Sequence, residues 1–189
     1  MSPNGSRSGE RAASFDIVAA PFIVTAELPA DVFAWADALR RAHYPAERNR
    51  LAAHVTLFHS FAPSLRDELP RVLARIAAEF APPMATLSGL MPLGTGTALA
   101  IASPGMLAIR AHIAEHFLGA LTAQDRHEPR LHITIQNKVT PQAAKALQRE
   151  LARDLETRTF SFTGLGLHLY RNPHWEPQGR WPFRGRQGG

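Results

Sequence analysis

Ala53-His54-Val55-Thr56-Leu57 and Leu131-His132-Ile133-Thr134-Ile135 are the two stretches on which the reading of this chain turns. Each places His-x-Thr-apolar in a β-branched, alternating run, which is how a half-buried strand is written. Side chains on a strand change face at every residue, so His54 and Thr56 share one face while Val55 and Leu57 take the other. His132 and Thr134 repeat that arrangement against Ile133 and Ile135. Two strands that each offer an imidazole and a hydroxyl to one side suit a site where one histidine accepts a proton and the other donates one.

Composition bounds what surrounds these strands. A chain of 189 residues with 45% hydrophobic content can bury a real core and reads as one domain or two small lobes sharing an interface. Cysteine is absent, which removes disulfides and thiolate metal sites and fits a reducing compartment. Apolar runs all fall short of the roughly 20 residues a bilayer span needs, and residues 1–13 lack the apolar segment of a secretory signal. A cytoplasmic, monomeric protein without a membrane partner is the expectation, with residues 1–13 a disordered leader. The formal charge of +5 is a mild attraction toward anions such as phosphate or RNA.

Outward from the motifs, the chain alternates strands and helices. Residues 15–28 read as a strand with a bulge or edge position at Pro21. Asp31 is the expected cap of a helix carrying Val32, Trp35, Leu39 and Ala42, ended by Pro45. Pro63-Ser64 opens a second helix through Leu65, Leu69, Val72, Leu73 and Ile76, broken at Pro82-Pro83. Two short strands, residues 84–93 and 97–102, flank Gly94-Thr95-Gly96. Ser103-Pro104 and Thr140-Pro141 each start a helix, and the second motif strand lies between them. Residues 159–170 alternate as one strand, and a short strand around Trp181 and Phe183 closes the set. Strand, helix, motif strand, helix, strand therefore occurs twice, and the 78 residues from His54 to His132 suit corresponding strands of two similar lobes. The expectation is an α+β, bilobal, pseudo-symmetric duplicated fold over residues 14–186. Its lobes are expected to be interleaved, with approximate halves 14–93 and 97–186, and two antiparallel sheets enclose a central cleft with helices outside.

Paired His-x-Thr-x motifs in a duplicated α+β chain of this length resemble the two-histidine (2H) phosphoesterase superfamily, in particular its bacterial RNA 2′,3′-cyclic phosphodiesterase branch, the 2′-5′ RNA ligase-like family. The resemblance covers roughly Phe15 to Arg184. It implies metal-independent, cofactor-free hydrolysis of a cyclic phosphodiester on an RNA end or small nucleotide, to a 2′-phosphate, with reverse ligation as a further activity. It also implies that His54 and His132 act as base and acid, in an order that pseudo-symmetry leaves open, while Thr56 and Thr134 hold the phosphoryl oxygens. Elementary chemistry agrees: in-line opening of the ring needs a base on the water and an acid on the departing oxygen. Imidazole, with an ordinary pKa near 6.5, can be either.

Other residues complete the expected site. Relatives of the ligase type often carry an arginine shortly after the second motif, whereas this strand continues Gln136-Asn137-Lys138. Alternation puts Gln136 and Lys138 on the face of His132, with Lys138 as a point charge for phosphate. His168 and Tyr170 oppose the leucines of their strand and face the cleft, Tyr170 as a stacking surface for a nucleobase. His59 takes the parity of Val55 and is read as non-catalytic. Two competing classes stand beside this reading. His112-Ile113-Ala114-Glu115-His116 has the order of an inverted zinc-hydrolase site, and the basic tail from Arg180 to Arg186 suits a non-catalytic RNA-binding module.

Overall fold

The computed structural model describes residues 20–186, so the expected leader at 1–13 lies outside the described residues, as do residues 15–19 of the first strand. Among the described residues, eight strands and four α-helices follow one another. They are β1 (Phe22–Glu27), α1 (Ala30–His43), β2 (Val55–Phe61), α2 (Glu68–Glu79), β3 (Met84–Pro92) and β4 (Thr97–Ala102), then α3 (Pro104–His116), β5 (His132–Gln136), α4 (Pro141–Leu151), β6 (Arg158–Ser161), β7 (Gly164–Arg171) and β8 (His174–Pro182). The strands form two four-stranded sheets in the orders β2-β1-β7-β8 and β5-β4-β3-β6. Every pairing among them is antiparallel. The fold is α+β and duplicated.

In both sheets the motif strand occupies an edge and pairs with the strand that precedes it by one helix, β1 with β2 and β4 with β5. The third strand of each repeat crosses to the other sheet: β3 pairs with β4, and β7 pairs with β1. The lobes are thus interleaved, and the halves 14–93 and 97–186 each lend strands to the other. The stretch expected as one strand over 159–170 is two. Its first part stays beside β3, then Phe162 and Thr163 hand the chain over, their amides donating to Pro83 O and Glu27 O. Alternation alone cannot register such a handover, because both pieces keep the same period.

Other local expectations shift in ways the backbone explains. Asp31 lies in the first turn of α1, where its charge favours the helix dipole, and the cap position is Pro29. Pro63 opens a 3-10 turn, Pro63–Leu65, and α2 begins at Glu68. Pro21 precedes β1, and the register irregularity falls between Phe22 and Thr25. The closing strand β8 spans nine residues. Ser103 and Thr140 do cap α3 and α4, accepting from the amides of Met106 and Ala143 at 3.3 and 3.2 Å.

One contiguous apolar core runs beneath both sheets, from Val24, Val55 and Leu167 through Leu99 and Ile133. Leu69, Val72, Leu73 and Ile76 of α2 recur three and four residues apart and are all buried. Each contributes about 1.5–3 kcal/mol relative to exposure. A shared core fixes the sheets against each other, and the edge strands β2 and β5 meet at the junction.

Candidate active site

The two motifs present matching faces. Val55, Leu57, Ile133 and Ile135 are essentially fully buried, while His54, Thr56, His132 and Thr134 are half-buried on the other side. Thr56 of the first motif and His132 of the second line the same cavity of about 280 Å³. The imidazoles are also held alike. His54 Nδ1 lies 2.8 Å from Ala52 O and His132 Nδ1 lies 2.7 Å from Arg130 O, each a carbonyl two residues upstream. A carbonyl only accepts, so in both rings Nδ1 carries hydrogen and Nε2 is the nitrogen left for chemistry. Burial pushes His54 down to about 4, against the raising effect of the Ala52 carbonyl, with the charges of Arg40, His168 and His132 adding to the fall.

Two buried arginines tie the motif strands together. Arg40 of α1 donates from Nε to Asn49 Oδ1 at 2.8 Å and to Leu51 O at 2.9 Å, and from Nη1 to Thr134 O at 2.7 Å. It therefore links the approach to His54 with the strand that carries Thr134. Arg110 of α3 donates to Asp125 O, and its Nε lies 3.5 Å from Leu57 O. The Asp125 carboxylate accepts from the amides of His59 at 3.0 Å and Ser60 at 3.0 Å, pinning the segment before the second motif onto β2. Burial raises the Asp125 carboxyl, but hydrogen bonds from the His59 ring and from those two amides overcome it and hold the group below its ordinary value. The guanidiniums cover aromatic rings, Arg40 at 4.2 Å from the Tyr44 centroid and Arg110 at 4.5 Å from that of Phe58.

His54 itself lines a separate, larger cavity of about 580 Å³, bounded by residues of β1, β7 and β8 and by Ala30 and Phe33 of α1. The Trp175 ring closes on His54 at 4.5 Å between centroids, tilted by 51°, and on His168 at 5.6 Å. At its floor Thr25 Oγ1 donates to Glu27 Oε1 at 3.0 Å, and Arg180 Nε lies 3.1 Å from Glu27 Oε2. The single Thr25 proton is thereby committed, so His168 Nε2, 3.1 Å away, must be the donor to Thr25 Oγ1. Burial lowers the His168 imidazole, with Glu27 opposing and Arg180 reinforcing that fall.

The remaining expected residues separate. His168 lines the larger cavity, whereas Gln136, Lys138 and Tyr170 line neither chamber. Gln136 is buried, its Oε1 accepting from Thr97 Oγ1 at 3.4 Å, because the ladder between β4 and β5 slips a register between Thr97 and Ala98. Lys138 follows the end of β5 in a left-handed conformation, φ 60°, and is exposed, so strand alternation no longer governs it. Tyr170 stands near the β7–β8 hairpin end with its hydroxyl 3.1 Å from Asn172 Oδ1. His59, expected on the parity of the buried Val55, is instead exposed, lines the smaller cavity together with Thr56 and His132, and contacts Asp125 through Nδ1 at 3.1 Å. His112 packs on Phe80 at 5.1 Å, while His116 Nε2 is 2.8 Å from Glu68 Oε1. Among the described residues no three His, Cys, Asp or Glu side chains are grouped to hold a metal ion, and the His-x-x-Glu-His order gathers no third ligand.

Sequence reasoning missed Arg40, Asp125, Trp175 and the Thr25–Glu27 pair. A signal existed for the last: Thr25 and Glu27 alternate against Val24 and Ala26 in β1, which puts them on the open face.

With that geometry in place, comparison with known proteins is direct. The family model described as the 2′-5′ RNA ligase superfamily matches residues 28–174. The protein TT0787 of Thermus thermophilus superposes with a TM-score of 0.62 at 17% identity, covering 88% of this chain and all of that one. E. coli LigT complexed with NADP+ gives 0.59 at 17% identity, covering 88% of this chain and 99% of LigT. Its 3′-AMP complex gives 0.54 at 17% identity, over 87% and 98% of the two chains. A search of curated proteins by sequence returns no match.

Proposed function

The chain belongs to the 2′-5′ RNA ligase superfamily, and from that premise we propose that it is a phosphoesterase opening 2′,3′-cyclic phosphodiesters on RNA ends or nucleotides. The observation that carries the reading is the pair of imidazoles with the same Nδ1 tether, each two residues before a threonine hydroxyl on the same face. Two free Nε2 atoms at the junction of two edge strands supply a base at one end of a phosphorus and an acid at the other.

The roles follow from charge. A group held near 4 is almost wholly neutral at pH 7, so His54 is suited to take a proton and not to give one. His54 Nε2 removes the proton of the attacking water, and His132, protonated at Nε2, delivers one to the departing 3′-oxygen, leaving a 2′-phosphate. Thr56 and Thr134 donate to the non-bridging oxygens as charge builds there. The chamber beside His54 receives the nucleoside. Solved relatives include LigT complexes with NADP+ and with 3′-AMP, which is in keeping with a nucleotide-bearing substrate here. Ligation is the same ring opening with a 5′-hydroxyl in place of water as the nucleophile, the 3′-oxygen departing as before and a 2′-5′ phosphodiester forming.

Purified protein given a nucleoside 2′,3′-cyclic phosphate in excess chelator tests the reading. Accumulation of the 2′-phosphate at an undiminished rate is expected. Turnover abolished by chelator, or tight RNA binding without turnover, contradicts it.

A further inference from the structure

The floor of the larger cavity carries a feature that phosphoryl chemistry does not use. Glu27 lies at the end of β1 with its side chain 19% exposed, and it is held from both sides, by Thr25 at Oε1 and Arg180 at Oε2. His168 steadies Thr25 in turn, so the carboxylate has a fixed orientation and not a floating one. Room for this arrangement comes from Gly166, paired between Thr25 on β1 and Arg180 on β8. A Cβ on Gly166 would stand 2.3 Å from Glu27 Oε1 and 2.5 Å from Thr25 Oγ1. Gly166 thus leaves open the space over which the two side chains meet.

A carboxylate oxygen has two lone pairs, and the two known donors occupy one on each oxygen. What remains is a pair of adjacent acceptors beside a chamber of about 580 Å³ that also contains the Trp175 ring and Phe33. Such a chamber buries a flat aromatic ligand and orients it by a few polar groups. An ionised carboxylate can only accept, so it favours an edge that donates twice and repels one that offers an acceptor there. Guanine presents two neighbouring N–H donors, at N1 and N2. Adenine and cytosine each set one amino group beside a ring acceptor, and uracil flanks its single N–H with carbonyls.

We propose that this cavity is a base-selecting pocket in which Glu27, braced by Thr25 and Arg180, recognises guanine, so that the substrate is a guanosine 2′,3′-cyclic phosphate or an RNA end terminating in one. The proposal rests on the cyclic-phosphodiesterase reading for the reacting group, and on the cavity alone for the base. Trp175, tilted over His54, places the ring of the bound nucleoside next to the reacting phosphate.

The experiment measures kcat/KM of the wild-type protein for the four nucleoside 2′,3′-cyclic phosphates, alongside calorimetric binding of GMP, AMP, CMP and UMP. Guanosine is expected to be favoured by about 10- to 100-fold, the discrimination that a bidentate base contact provides. The preference should reside in KM and not in kcat. In Glu27→Gln one acceptor becomes a donor facing an N–H, and the guanosine preference should collapse as the adenosine and cytidine substrates, whose edges pair a donor with an acceptor, gain on guanosine. Arg180→Ala, at an exposed side chain, should weaken the preference without unfolding the protein. Equal kcat/KM for all four nucleosides in the wild type overturns the pocket assignment while leaving the phosphodiesterase reading intact. Selective GMP binding with no turnover of any cyclic phosphate does the reverse. A guanosine preference that survives Glu27→Gln also overturns the assignment of that residue.

Discussion

His54 offers a stringent test because its protonation touches stability and catalysis together. In the unfolded chain its imidazole titrates near 6.5, and in the folded protein burial holds it at about 4. Between those values the unfolded state binds more protons than the folded one. Stability attributable to His54 is therefore complete above pH 6.5 and is lost progressively as the pH falls toward 4. The gap corresponds to about 3 kcal/mol, a large share of a domain's total. Urea denaturation at pH 7 and pH 4.5 should show a fall in stability that is smaller by roughly 2–3 kcal/mol in His54→Gln than in the wild type. In NMR spectra of the wild type the His54 Cε1–H resonance should titrate near 4. The acid limb of kcat/KM should fall at the same place, because it reports the base of the free protein. A His54 resonance that titrates between 6 and 7, or a variant with the same pH slope as the wild type, refutes both the desolvated imidazole and its assignment as base.

Three further outcomes follow from named contacts. Arg40→Ala orphans the Leu51 and Thr134 carbonyls and should destabilise the protein by about 3–5 kcal/mol in chemical denaturation, with kcat falling even where the variant is fully folded. If Thr56 and Thr134 donate to the phosphoryl oxygens as proposed, Thr56→Ala and Thr134→Ala should each lower kcat by about 10²–10³ with KM little changed in steady-state assays. Lys138→Ala should leave kcat/KM within about twofold at low salt, because the side chain is exposed beyond the end of β5. A larger loss there would restore Lys138 to the phosphate site.

What the chain reveals before folding is what has a short period. His54, Thr56, His132 and Thr134 were legible because alternation alone assigns them a face and the buried Val55, Leu57, Ile133 and Ile135 fix which face it is. Ser103-Pro104 and Thr140-Pro141 were legible as helix starts because capping is local chemistry. Several of the failures are long-range. The handover at Phe162 and Thr163, which splits the expected strand in two, leaves the alternation undisturbed and depends on which sheet edge each piece finds. Gln136 obeyed the motif's period until a register slip against Thr97 turned it inward, and Lys138 lost the period just beyond the strand. Arg40 and Asp125 reach across 94 and 66 residues of chain to the opposite motif strand, and no local pattern marks an arginine or an aspartate for that work.

In the proposed mechanism His132 is the acid and His54 the base. Its most direct test is ring opening of a cyclic substrate in which sulfur replaces the bridging 3′-oxygen, since a departing thiolate needs no proton. On the natural oxygen substrate, His132→Ala and His54→Ala should each lose about 10²–10⁴ in rate. On the sulfur substrate His132→Ala should recover to near the wild-type rate while His54→Ala stays as impaired as before. Recovery by His54→Ala in place of His132→Ala, or no recovery by either, would contradict the assignment.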